Sequence, residues 1–181
     1  MAISKKVTFE GNTYHLGNKD RVSAFTAFQG GGPQFKGLKT DIILNGASAK
    51  TLTADNSGAH CIFDTAGAST FTLPAPELGM HFTFISTITA TGDHEIIAGT
   101  DGYGFLGGVL IMNTTADQTN AFSAATDGEN DYITMNGSTT GGIAGSMVHV
   151  VAVTNTNGAK AWAVHGTLIG SGNTTTPFAD A

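Results

Sequence analysis

One stretch of the chain, residues 51–97, constrains the fold most, because apolar and polar residues alternate in it between closely spaced turn formers. In the run from Ala59 to Asp64, every second residue (Ala59, Cys61 and Phe63) falls on one face, as in a pleated strand with one buried side. The same stretch predicts three further short strands, at Ser69–Leu73, Met80–Ile85 and His94–Ala98. Four short strands joined by Gly- and Pro-containing turns indicate an all-β domain.

The rest of the chain continues this pattern. Further strands are predicted at Lys6–Glu10, Thr13–Leu16, Thr40–Asn45, Val109–Met112 and Tyr132–Met135. Residues 113–129 are predicted to form a long polar loop with Phe122 as its only large apolar residue, whereas Val22–Phe28 fits either a strand or a helical turn. Turns about every ten residues predict an antiparallel β-sandwich or a jelly-roll-like barrel.

The last hairpin can be assigned a register from its turn. If Asn157-Gly158 is a two-residue turn, Val153 lies opposite Trp162 and all the bulky partners share the core face. The same register pairs Thr156 with Ala159, Val151 with Val164, His149 with Gly166 and Met147 with Leu168. His149 is then expected to point into the core as a hydrogen-bonded structural histidine.

The chain is predicted to consist of an N-terminal arm with a glycine-rich hinge, residues 1–37, and a β-sandwich body, residues 38–181. The hinge is Gly30-Gly31-Gly32, which has high backbone freedom, followed by Pro33. Residues 1–50 hold seven basic residues and three acids, a net charge of +4, and residues 51–181 hold one lysine and eleven acids, a net charge of −10. The basic arm is therefore expected to bind an acidic partner surface through Lys5, Lys6, Lys19, Arg21, Lys36 and Lys39.

Composition restricts the environment of the protein. Charged residues make up only 12% of the chain, about half of the usual share, so neighbouring subunits are expected to cover part of the surface. Cys61 is the single cysteine and excludes an intramolecular disulfide. The chain shows neither a signal peptide nor an apolar run long enough to cross a membrane, which predicts a soluble protein made in a reducing cytoplasm.

No sequence motif indicates catalysis, a cofactor or a metal. Gly102, Gly104 and Gly107 match the spacing of a dinucleotide-binding loop, but the segment that follows reads as a strand instead of the helix that this site needs. The six histidines are not spaced as metal ligands. The charge of −10 on the body opposes nucleic-acid binding.

Two segments resemble virion structural proteins of tailed bacteriophages, and capsid decoration (head-surface) proteins in particular. The first runs from LTADNSG through Ala66-Gly67-Ala68 to FTLPAPELGMHFTF. The second runs from Gly145-Ser146-Met147-Val148 through Ala161-Trp162-Ala163-Val164 to Thr176-Pro177-Phe178. Together they cover roughly half of the chain, and the resemblance concerns architecture because neither segment is a catalytic signature.

The resemblance, the low charge and the basic arm predict a structural virion protein and not an enzyme. It is expected to form a homotrimer on the outer capsid surface, to bind the major capsid protein and to stabilise the shell. It is expected to be made in the cytoplasm of the host bacterium. The alternative is a receptor- or carbohydrate-binding module of a head fibre or tail fibre, which exposed aromatic rings at Tyr103–Phe105 or Phe122 would favour.

Overall fold

The computed structural model describes residues 5–9, 12–16, 40–99, 103–125, 129–155 and 158–180. The chain divides into two compact units, residues 1–39 and 40–181. In the first unit, strand β1 (Lys5–Phe9) pairs antiparallel with strand β2 (Asn12–Leu16), so β2 begins one residue earlier than predicted, with Asn12 paired with Phe9. The predictions for Val22–Phe28 and for the glycine hinge lie outside the described residues.

The second unit is a β-sandwich, as predicted, and its strands form two sheets. The strands are β3 (Ile42–Leu44), β4 (Ala49–Thr51), β5 (His60–Phe63), β6 (Ser69–Thr72), β7 (His81–Ser86), β8 (His94–Ile97), β9 (Phe105–Asn113), β10 (Gln118–Ser123), β11 (Tyr132–Met135), β12 (Met147–Thr154), β13 (Lys160–Gly170) and β14 (Phe178–Ala179). Sheet A has the strand order β10-β9-β13-β12-β7-β5-β3, and sheet B has the order β14-β11-β8-β6-β4. A 3-10 turn, Ala54–Asn56, precedes β5.

The sheets are mixed and not antiparallel throughout. From β3 to β8, consecutive strands alternate between sheet A and sheet B, so each of the strands β5 to β8 lies beside the strand two positions earlier in the chain and runs parallel to it. Strands β9 and β13 are also parallel. The turns at Asn45-Gly46 and Ala66–Ala68 therefore carry the chain across the sandwich and do not close hairpins.

The core lies between the two sheets and contains the residues that the alternation placed there. Cys61, Phe63, Phe71 and Phe82 are fully buried, and Trp162 is buried against Phe82 at a ring-centroid distance of 5.8 Å. Burial raises the pKa of the Cys61 thiol to about 12, because the thiolate would lose its hydration. No helix in the described part of the chain is long and apolar enough to cross a bilayer.

The predicted loop at residues 113–129 is wrong over much of its length. Gln118–Ser123 forms β10, an edge strand that pairs antiparallel with β9. Phe122 faces inward and packs against the core, whereas Thr119, Ala121 and Ser123 are exposed. An edge strand with one exposed side needs few apolar residues, which explains why its composition resembles that of a loop.

The predicted register of the last hairpin is wrong by one residue. Val153 pairs with Ala161, and Asn155 N–H donates to the Ala159 carbonyl oxygen at 2.8 Å, so three residues separate that pair. Gly158 has a φ of +78°, as in a three-residue hairpin loop that ends on a left-handed residue. A slip of one residue exchanges the two faces of a strand. His149 consequently lies on the outer side of sheet A.

Candidate functional site: the outer face of sheet A

The side of sheet A that faces away from sheet B is the main candidate for a functional surface, and we call it the outer face. The seven strands of sheet A contain one formally charged residue, Lys160, at the first position of β13. A strand face turned to water ordinarily carries polar and charged side chains. This face instead carries aliphatic side chains and histidines.

An apolar row crosses all seven strands of the outer face. In register, it consists of Leu44, Ile62, Ile85, Met147, Thr167, Leu110 and Ala121. Leu44, Leu110 and Met147 are 50%, 46% and 45% exposed. Met112, two residues beyond Leu110 on β9, is also exposed. Leu44, Leu110, Met112 and Met147 would bury apolar area if another surface packed on the face.

A histidine row runs beside the apolar row. In register, it consists of Ile42, His60, Thr83, His149, His165, Gly108 and Ser123. The rings of His149 and His165 are 5.0 Å apart between centroids, and those of His149 and His81 are 6.0 Å apart. Four of the six histidines of the chain (His60, His81, His149 and His165) therefore lie on one face of one sheet.

The centre of the histidine row disfavours a charged imidazole at His149. Thr83 Oγ1 and His149 Nδ1 lie 3.0 Å apart and form a hydrogen bond. Partial burial lowers the pKa of His149, and the neighbouring rings of His165, His81 and His60 lower it further, because each would repel a second positive charge. Among the described residues, no group of three or more His, Cys, Asp or Glu side chains is placed to hold a metal ion.

A groove of about 700 Å³ lies in the outer face, over β9, β10 and β13. Gly107, Gly108 and Gly166 contribute no side chains to it, and Leu110 and Met147 lie along it with His149 and His165. At the other end of the sheet, the edge strand β3 presents Ile42 and Leu44, which are 58% and 50% exposed. The outer face thus has a recess at one end and protruding aliphatic side chains at the other.

The residues predicted to bind a partner are only partly described. Lys5 and Lys6 are strand residues of β1, where they pair with Leu16 and His15. Lys19, Arg21, Lys36 and Lys39 lie outside the described residues. The aromatic residues considered for sugar stacking are not exposed platforms, since Phe105 is fully buried and Tyr103 and Phe122 are half-buried against the core.

Reasoning from sequence did not identify the outer face as a surface of interest. It assigned Ile62 and His60 to the side opposite the core, but it placed His149 in the core because of the hairpin register. A signal was nevertheless present, because all seven segments that form sheet A lack acids and contain one lysine between them. The signal indicates a surface only once the structure shows that the seven segments are neighbouring strands of one sheet.

Comparisons with protein-family models, with curated proteins and with solved structures found no match to this chain.

Proposed function

We propose that this protein is a structural virion component that associates with itself as a trimer and binds the outer surface of a tailed-phage capsid. The observation that carries the proposal is the outer face of sheet A, which is wide, almost free of charge and rich in aliphatic side chains. Faces of this kind on soluble domains are typical of association surfaces. The resemblance to decoration proteins supplies the capsid as the second partner.

The division of charge along the chain supports two separate contacts. Seven of the eight basic residues lie in the first fifty positions, and the body is acidic. A basic arm is attracted to an acidic shell surface, whereas acidic bodies repel one another except where charge is absent. In this proposal the arm binds the major capsid protein, the outer face of sheet A joins copies, and adhesion across neighbouring capsid subunits raises the barrier to rupture of the shell.

The location of the protein tests the capsid assignment directly. Gold-labelled antibody against this chain should mark the outer surface of virion heads in negative-stain electron microscopy. A label confined to the tail tip would support the alternative of a receptor-binding fibre module and contradict the proposal. Unlabelled virions would contradict both.

The contribution of the arm can be tested in the full-length protein. Replacing Lys5, Lys6, Lys19, Arg21, Lys36 and Lys39 with glutamine should weaken binding to undecorated capsids by at least about tenfold and reduce its salt dependence. The matched control replaces Lys50 and Lys160, and should bind like the original protein. Equal binding by both variants would place the attachment surface on the body.

A further inference from the structure

We infer that the outer face of sheet A is the surface through which copies of this chain associate, and that its histidine row makes this association weaken on acidification. The inference rests on the proposed function for self-association through this face, and it adds how the face fits a second copy and how pH regulates the contact. The occupant of the face is a second copy of the same chain.

Charge favours a second copy over other occupants. The eleven acids of residues 51–181 all lie outside the strands of sheet A, so two bodies that meet elsewhere bring like charges together. The basic arm is also a poor occupant, because the strands of sheet A contain no acid to receive it. An uncharged apolar face is best matched by another uncharged apolar face, and every copy of this chain carries such a face.

The dimensions of the face can be compared with those of a standard interface. Six spacings of about 4.8 Å between seven strands make it about 29 Å wide. Two rows of outward side chains cross all seven strands, because β3 and β5 each have two outward residues, and a third row continues on the longer strands. The face therefore extends about 14 to 20 Å along the strands, which gives on the order of 400–600 Å² in projection, below the roughly 800 Å² of accessible surface that each partner buries in a standard interface. Side-chain relief increases the area available for contact.

The two ends of the face differ in a way that suits contact between copies. Ile42 and Leu44 protrude at the β3 edge, and the groove lies four strands away over β13 and its neighbours. Each copy therefore offers both an aliphatic protrusion and a recess without side chains on its floor. Protrusion and recess on one chain can be matched between copies by a closed symmetry, in which every copy uses both.

The histidine row couples the contact to pH. His60, His81, His149 and His165 would all be covered by a second copy, and a covered imidazolium loses hydration and lies near other imidazoliums. Association therefore favours the neutral rings. Since free copies take up protons that associated copies exclude, association must weaken as pH falls through the histidine range.

Few charged groups oppose this effect. Asp41 and Asp64 adjoin the ends of β3 and β5, and Asp64 Oδ1 already accepts a hydrogen bond from Gly46 N–H at 2.7 Å. Asp55 lies in the 3-10 turn before β5, and Lys160 begins β13. Thr83 is the hydroxyl partner of His149. None of the seven strands carries an acid that could neutralise a protonated histidine row.

The contact is tested with full-length variants at both ends of the face. Leu44→Glu alters the protrusion and Met147→Glu alters the groove, and each should convert the oligomer to monomers in sedimentation equilibrium at micromolar concentration and pH 7.5. Thr51→Glu, an exposed position of sheet B, is the matched control and should retain the original mass. Circular dichroism verifies that each variant is folded.

The pH dependence is tested in the same experiment. Between pH 7.5 and pH 5.5 the apparent Kd of association should rise by at least about tenfold, with the fold intact by circular dichroism. The double variant His149→Gln/His165→Gln should associate at pH 7.5 and show a much smaller rise. An unchanged Kd in the original protein would overturn the role of the histidine row.

The outcomes separate this inference from the proposed function. If folded Leu44→Glu and Met147→Glu proteins keep the original mass, or if the original protein is itself a monomer, the outer face is not the contact between copies, even where gold label marks the heads. If both variants dissociate but heads carry no label, the contact is established and the capsid assignment fails.

Discussion

The outer faces of the two sheets follow the same alternation but carry different chemistry. Sheet B turns Thr70, Thr72, Tyr132 and Glu95 outward, and Thr70 Oγ1 donates a hydrogen bond to Glu95 Oε2 at 3.0 Å. Sheet A turns leucine, isoleucine, methionine and histidine outward. Both sheets bury their inner sides in one core, so the demands of folding do not account for the difference.

The chemistry of the two outer faces indicates which of them is suited to contact with water. A threonine-rich face with a hydrogen-bonded carboxylate is well hydrated, and β-branched threonine suits a strand. Exposed leucine and methionine gain nothing from water and raise the risk of aggregation. Most of the exposed large apolar side chains in the described residues lie on sheet A, which supports our proposal that this sheet makes the contact.

The largest effect is expected from the inner side of sheet A. Trp162 is fully buried against Phe82, and Trp162→Ala should reduce the free energy of unfolding by about 3–5 kcal/mol. Leu110→Ala, on the opposite side of the same sheet, should change it by less than about 1 kcal/mol in dilute protein. Urea unfolding measures the free energy of unfolding of both variants. Similar losses in the two variants would contradict the expected difference between the inner and outer sides of sheet A.

A smaller effect is expected from an inward histidine of sheet B. His94 is fully buried, stacks on Phe63 at 4.5 Å between ring centroids, and donates from Nε2 to the Thr65 carbonyl oxygen at 2.8 Å. Burial lowers the pKa of His94. The unfolded chain therefore takes up a proton below pH 6.5 that the folded chain rejects, and stability is full above that pH and falls as pH decreases towards the lowered pKa.

The variant His94→Phe keeps a ring on Phe63 and removes the titration. It should lose about 0.5–1.5 kcal/mol at pH 7.5 through the missing hydrogen bond, yet its urea midpoint should fall less than that of the original protein between pH 7.5 and pH 5. If the urea midpoints of the variant and of the original protein fall equally with decreasing pH, His94 does not limit stability in acid. Together with the association experiment, this variant tests our proposal that the inward histidine affects folding and the outward histidine row affects association.

The smallest effect is expected on the outer face of sheet B. Thr70→Val removes the hydrogen bond to Glu95, and its cost should be about 0.5 kcal/mol because the pair is only half-buried. Thermal unfolding measures the loss, and sedimentation equilibrium should show an unchanged oligomer mass. A change of mass would mean that sheet B also takes part in association.

Much of the fold was predictable because its determinants are local. The alternation around Cys61 and Phe63 and around Phe82 and Phe84 identified strands and their buried sides, and burial confirms both. The candidate site was largely not predictable. It combines His60, Thr83, His149 and His165 from four strands, and no local pattern specifies that these strands are neighbours.

The sequence alone specified the all-β class, most of the strands and the core residues of strands such as β5, β6 and β7, since a period of two and a nearby turn act within a few residues. The three-dimensional fold alone shows which sheet each strand joins, because a turn reverses the chain equally well within a sheet or across the sandwich. It also decided the register of β12 on β13, where one added loop residue moved His149 from the core to the outer face. Long-range pairing sets both the sheet and the register, and it joins seven segments that contain one charged residue between them into one surface.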